Sequence, residues 1–174
     1  MQQLDFDAAL RSVRSQPNRN YVSNDVIQTP RELAARVVAH FKPTGRCLEP
    51  CRGEGAFSDL LPKGSDWCEI LAGRDFLALP VPAVPYDWII TNPPWSQIRK
   101  FLGHAMACAD NVVFLMTINH VWTKARLRDI SAAGFALKEI VMLDMPKNFP
   151  QSGFQLGAVH VARGWQGDVR IGPL

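Results

Sequence analysis

The stretch Asp87 to Gln97, DWIITNPPWSQ, decides how this chain is read. Trp88 to Thr91 have the character of a buried strand, and the residues after Gln97 look helical. Between them stand Asn92, Pro93, Pro94 and Trp95. Proline does not continue a central strand, so the strand ends abruptly in a stiff turn. Asn92 and Pro93 each precede a proline and are pushed into extended geometry. Their carbonyls cannot fold back into a helix and stay available as acceptors. The Asn92 side-chain oxygen lies near the Pro93 carbonyl as a second acceptor, and two fixed acceptors match a planar –NH2 group. Trp95 offers a flat face on which an extruded aromatic ring could stack. The plainer alternative is a stiff loop beside a core tryptophan.

Outward from this turn, strands and helices alternate. Short apolar runs predict strands at RCLEP (46–50), DWCEI (66–70), WIIT (88–91), NVVFLMT (111–117), LKEIVMLDM (137–145) and LGAVHVARG (156–164). Helical spacing appears at TPRELAARVVAHF (29–41), where Thr29 can cap and Pro30 suits the first turn. The glycine-rich CRGEGAFSDLL (51–61) reads as a turn entering a helix, and helical spacing appears again at IRKFLGHAMACA (98–109) and at TKARLRDISAAG (123–134), which ends on Gly134. Weak helical periodicity at 5–15 and a polar loop make residues 1–27 a leading segment, with 28–174 as the main domain. The pattern argues for an α/β fold with an open sheet and helices on both faces. In such sheets ligands bind at the carboxyl ends of the strands.

One domain of 174 residues with 47% hydrophobic residues is large enough for a real core. The net charge of +3 permits a polyanionic partner without demanding one. Cys47, Cys51, Cys68 and Cys108 form no CxxC pair and have no histidine cluster nearby, so buried thiols are expected and no metal. With no leader peptide or long apolar run, the expected location is a reducing cytoplasm, away from membranes.

LEPCRGEGAF (48–57) reads as a cofactor turn. Gly53 and Gly55 let the backbone turn tightly against a bound molecule. A dinucleotide site wants a third glycine, where this chain has Ser58, and Glu49 would repel a phosphate. An acidic residue there suits a cofactor rich in cationic, hydroxyl and amino groups, such as S-adenosylmethionine. Downstream, Glu69 could hold ribose hydroxyls, Asp75 could accept from an adenine amino group, and Phe76 could pack on the purine.

TNPPW resembles the catalytic motif of class I S-adenosylmethionine-dependent amino-methyltransferases, above all the DNA N6-adenine enzymes. QTPRELA (28–34) resembles their amino-terminal motif, LEPCRGEGAF their cofactor motif and GRDF (73–76) their adenine-contacting one. NFPQSGFQLGAVHVA (148–162) is similar to the segment whose aromatic helps to hold a flipped base, with Phe149 at the matching position. The resemblance implies a Rossmann-like sheet of seven strands, mostly parallel with the last antiparallel. It implies that Thr29 and Pro30 contact the methionine moiety, and that Glu49, Pro50, Gly53, Gly55, Phe57, Glu69, Asp75 and Phe76 form the cofactor site. It assigns catalysis to Asn92, Pro93, Pro94 and Trp95, and base binding to Trp95 and Phe149. Two departures stand out: Arg52 occupies a position where the family usually has a small residue, and the stretch from Glu69 to Asp75 is too short for a regular crossover helix.

The expected reaction is methylation of adenine N6 in DNA, with the base flipped out. About 11 residues follow the last expected strand, which leaves no room for a separate recognition domain. A small phage- or prophage-type enzyme of low sequence specificity is therefore expected, with backbone contacts from Arg19, Lys124, Arg126 and Lys147. Methylation of N4-cytosine, an RNA base or a protein glutamine uses the same pocket chemistry and stays open. So does a non-catalytic cofactor-binding subunit. Nothing in the sequence bears on oligomeric state.

Overall fold

A computed structural model describes residue 25 and residues 27–174. The expected leading helix, most of the polar loop and Arg19 lie outside the described residues.

Seven strands form one sheet: β1 (Cys47–Glu49), β2 (Asp66–Trp67), β3 (Tyr86–Thr91), β4 (Ala109–Thr117), β5 (Phe135–Leu143), β6 (Leu156–Arg163) and β7 (Arg170–Pro173). Their spatial order is β2-β1-β3-β4-β6-β5-β7. Strand β6 runs antiparallel to both β4 and β5, and every other pairing is parallel. This is the open α/β sheet that the alternation predicts, in the mostly parallel, seven-stranded Rossmann-like form that the resemblance implies. One detail differs: the antiparallel strand is the sixth, not the last. Arg170–Pro173 adds a final edge strand parallel to β5. Periodicity could not find it, because its four residues are mostly exposed and include Gly172 and Pro173.

Sheet residues alternate between two layers, as the pleat requires. Leu48, Ile89, Val112 and Phe114 face one core, while Cys47, Ile90, Val113 and Leu115 face the other. Helix α1 (Arg31–Phe41) covers the second layer with Leu33, Ala34, Val37 and Phe41. Helices α2 (Ile98–Cys108) and α3 (Lys124–Ala132) cover the first with Phe101, Leu102, Ala105 and Ile130. Fully burying each Leu, Val, Ile or Phe among these stabilises the fold by about 1.5–3 kcal/mol.

Two local expectations need correction. Thr29 does not cap α1: Pro30, extended at ψ 132°, is the capping position and no side chain bonds the first turn. The Thr29 hydroxyl is engaged elsewhere, as described below. The glycine-rich turn also leads into no regular helix, only a 3-10 turn at Ser58–Leu60. Pro62 holds Leu61 extended at ψ 163°, which stops the turn after three residues.

Candidate active site

The cleft forms where the chain reverses its path across the sheet. From β1 it moves outward to β2, then returns past β1 to β3. The loops after β1 and β3 therefore diverge, leaving a crevice at the carboxyl ends of adjacent strands. That crevice holds about 700 Å³. Its wall brings together Thr29, Glu49, Pro50, Gly53, Glu69, Asp75, Phe76 and Asn92, which lie far apart in sequence.

The turn after β1 depends on backbone that only glycine adopts easily. Gly53 and Gly55 have φ of 51° and 89°. A Cβ on Gly53 would lie 2.5 Å from Gln28 Oε1, so the neighbouring segment passes directly over it. Gly55 is buried beneath the turn, and Phe57, 1% exposed, belongs to the core. Neither Gly55, Phe57 nor Pro30 reaches the cleft wall.

Glu49 is 1% exposed, and its Oε2 has no hydrogen-bond partner among the described residues. Burial pushes its carboxyl up to about 8, against which Ser58 and the Arg52 charge pull only partly. Glu69 points back at the turn: its Oε2 accepts from Gly53 N at 2.7 Å and its Oε1 from Leu71 N at 3.0 Å. Asp75 accepts from Leu77 N at 2.9 Å. No crossover helix joins these acids, only a 3-10 turn at Ile70–Ala72. Ile70 and Leu71, 69% and 86% exposed, line the lip of the cleft. Sequence reasoning passed over them, since two apolar residues in a short loop carry no periodicity. Phe76 is 2% exposed and packs on Phe101, so only part of its ring faces the cleft.

At the end of β3, Asn92 Nδ2 donates to Thr29 Oγ1 at 3.2 Å. Its Oδ1 is buried and has no partner among the described residues. Asn92 lines both the cleft and a second recess of about 30 Å³, which it shares with Pro93, Trp95 and Phe149. Trp95 is tethered by its Nε1, which donates to the Leu115 carbonyl at 3.1 Å. Phe149 meets it edge-to-face, with centroids 5.9 Å apart and planes at 72°. Pro94 is extended and borders the cleft.

A strap formed by Asp25 and Ile27–Thr29 ties these loops together. Asp25 accepts from the Ser96 amide at 3.3 Å and also from the Ser96 hydroxyl. Gln28 Oε1 accepts from Glu54 N at 3.1 Å, and the Gln28 carbonyl accepts from Asn148 Nδ2 at 2.9 Å. The strap thus bonds the cofactor-like turn, the Asn-Pro-Pro turn and the loop after β5. Asp25 lines both cavities. Gln28 heads the QTPRELA stretch without an assigned role there, and Asp25 is a polar loop residue that nothing in the sequence singles out.

The basic residues divide. Lys124 and Lys147 are exposed on the same strand-end edge of the sheet, outside both cavities. Arg126 is drawn inward: its side chain is 14% exposed, its Nη1 pairs with Asp129 at 3.5 Å, and its Nε donates to the His120 carbonyl. All four cysteines are free thiols, and Cys51 is pushed up to about 12 by burial. Among the described residues no helix is long and apolar enough to cross a membrane, and no cluster of metal-ligating side chains occurs.

No protein-family model matches this sequence, and no curated protein does. Solved structures do match. A candidate RNA methyltransferase from Pyrococcus horikoshii superposes with a TM-score of 0.61 at 13% identity, covering 91% of this chain and 97% of its own. The 23S rRNA methyltransferase ErmE gives 0.60 at 15%, covering 81% and 72%. The M protein of the type I restriction enzyme EcoKI gives 0.61 at 13%, covering 92% of this chain. Of the EcoKI protein itself, this chain spans only 47%. The shared feature is the fold, a Rossmann-like methyltransferase sheet.

Proposed function

We propose that this protein transfers the methyl group of S-adenosylmethionine to an exocyclic amino group of a nucleic-acid base, with N6 of adenine in DNA as the acceptor. The observation that carries the reading is the Asn92 carboxamide. Its Oδ1 is buried without a partner in the wall shared by the cleft and the aromatic recess.

The cleft suits the cofactor on chemical grounds. Glu49 offers one partnerless carboxyl oxygen to an ammonium, and Glu69 and Asp75 keep lone pairs for hydroxyl and amino donors. The glycine at 53 keeps the backbone free of a side chain where Gln28 crosses it. When bound, S-adenosylmethionine supplies a methyl on a positive sulfonium, which is already a strong electrophile.

The remaining work falls to the protein. An amino group conjugated to a base is a poor nucleophile, because its lone pair is delocalised into the ring. Asn92 Oδ1 and the carbonyl of the following proline accept its two N–H hydrogens and favour the pyramidal nitrogen of the transition state. Thr29 fixes the orientation of the carboxamide by accepting from Nδ2, which leaves the oxygen for substrate. Trp95 and Phe149 form the apolar wall against which the base rests. The recess is small in this conformation, about 30 Å³.

The test is transfer of labelled methyl to DNA, RNA and protein in parallel, followed by nucleoside mass spectrometry. N6-methyladenine in DNA is expected. Label appearing only in RNA, cytosine or glutamine would move the acceptor while keeping the chemistry. Cofactor binding without transfer to any of them would favour an accessory subunit.

A further inference from the structure

Among the described residues, the cleft wall contains five acids, namely Asp25, Glu49, Glu54, Glu69 and Asp75, and a single cation, Arg52. That imbalance is chemically informative. The acids suit ammonium, sulfonium and hydroxyl groups, and none of them can receive a carboxylate. Only Arg52 can.

Arg52 is also held in place. Its amide donates to the Cys68 carbonyl at 2.9 Å, and its own carbonyl accepts from Gly55 N at 2.8 Å. Its Nε donates to Ser58 Oγ at 3.3 Å. The guanidinium carbon lies 4.7 Å from the Trp67 ring centroid, and Arg74 stacks on the same ring at 4.0 Å. Such cation–π contacts orient a guanidinium without consuming its donors. Nε is the only guanidinium nitrogen of Arg52 with a hydrogen bond among the described residues, which leaves both terminal nitrogens without one. They form a free planar fork of the kind that matches a carboxylate.

Three residues earlier, in the same wall, Glu49 Oε2 is buried and partnerless. The partnerless oxygen of Glu49 and the terminal nitrogens of Arg52, in one wall, complement an α-amino acid zwitterion, with the ammonium to Glu49 and the carboxylate to Arg52. We propose that Arg52 binds the carboxylate of the cofactor's amino-acid end, making the cleft selective for nucleosides that keep this end over those that lack it. The inference rests on the methyltransferase reading and deepens it.

The experiment is calorimetric titration of the full chain with two probes. S-adenosylhomocysteine carries the amino-acid end, and 5′-methylthioadenosine shares the adenosine and thioether without it. The wild type should bind S-adenosylhomocysteine more tightly. Arg52→Met should weaken that binding by about 10- to 100-fold, the range for a hydrogen bond to a charged group. It should leave 5′-methylthioadenosine within twofold, which also shows that the cleft is intact. Arg52→Lys, a point charge without the fork, should give a smaller selective loss and decides the matter if Arg52→Met does not fold. Unchanged binding of both probes, or equal loss of both, overturns the proposal. Binding of neither probe by the wild type would instead sink the methyltransferase reading itself.

Discussion

Among the described residues, Asn92 and Glu49 are the two side chains of the cleft wall whose buried polar atoms lack partners, and each carries a prediction. On the proposed mechanism, Asn92→Ala removes an acceptor that works hardest in the transition state. Turnover should fall on the order of 10²- to 10³-fold, with S-adenosylhomocysteine affinity unchanged. Equal loss of both in single-turnover and calorimetric assays would make Asn92 structural. Glu49 has a carboxyl raised from 4.5 to about 8 by burial. Between those values the unfolded chain has released the proton that the folded chain retains. The contribution of this group to stability is therefore full below pH 4.5 and declines as pH rises to about 8. Melting curves of the ligand-free protein should show that decline, and Glu49→Gln should flatten it. An ammonium ligand needs the ionised form, so binding of S-adenosylhomocysteine at pH 7 should release a proton. The measured heat would then vary with the ionisation enthalpy of the buffer.

At the scale of elements, the site is a set of strand ends held in register by a strap. Gly53→Ala puts a methyl group 2.5 Å from Gln28 Oε1 at a φ of 51°. The strap must move or the turn must distort, so cofactor affinity should drop while the sheet stays folded, as circular dichroism and titration together would report. Phe149 differs from Trp95 in kind. It is 3% exposed and packs with the α1 side of the core, so Phe149→Ala should destabilise the fold by about 3–5 kcal/mol in denaturant melts. Trp95→Ala exposes less core and should act mainly on substrate capture, with a loss of about 1–3 kcal/mol in base binding. A rise in KM with kcat little changed is the expected pattern.

For the molecule as a whole, one of the cations expected to meet nucleic acid, Arg19, lies outside the described residues; among the described ones Lys124 and Lys147 are exposed, and Arg126 is held by Asp129. The proposed enzyme reads little beyond the flipped base. Methylome sequencing of treated DNA should yield modified adenines without a long consensus; a motif of four or more fixed bases would contradict this. Binding should also weaken with salt, but with a shallow slope, because each phosphate contact contributes about one unit.

The sequence by itself determined the layered α/β order and the stiff Asn-Pro-Pro turn, because period-two burial and proline sterics are local properties. It also marked Gly53, Glu49 and Asn92, whose residue types are unusual at the ends of core strands. The last strand, Arg170–Pro173, lay beyond its reach, since an edge strand of exposed residues is defined by its pairing with β5 rather than by its own pattern. So did the strap. Asp25 and Gln28 matter only because tertiary folding sets them against Ser96, Glu54 and Asn148, contacts that span 26 to 120 positions. The partnerless atoms of Glu49 and Asn92 were decided there too. Whether a polar group finds a partner depends on everything packed around it, and only the assembled chain supplies that.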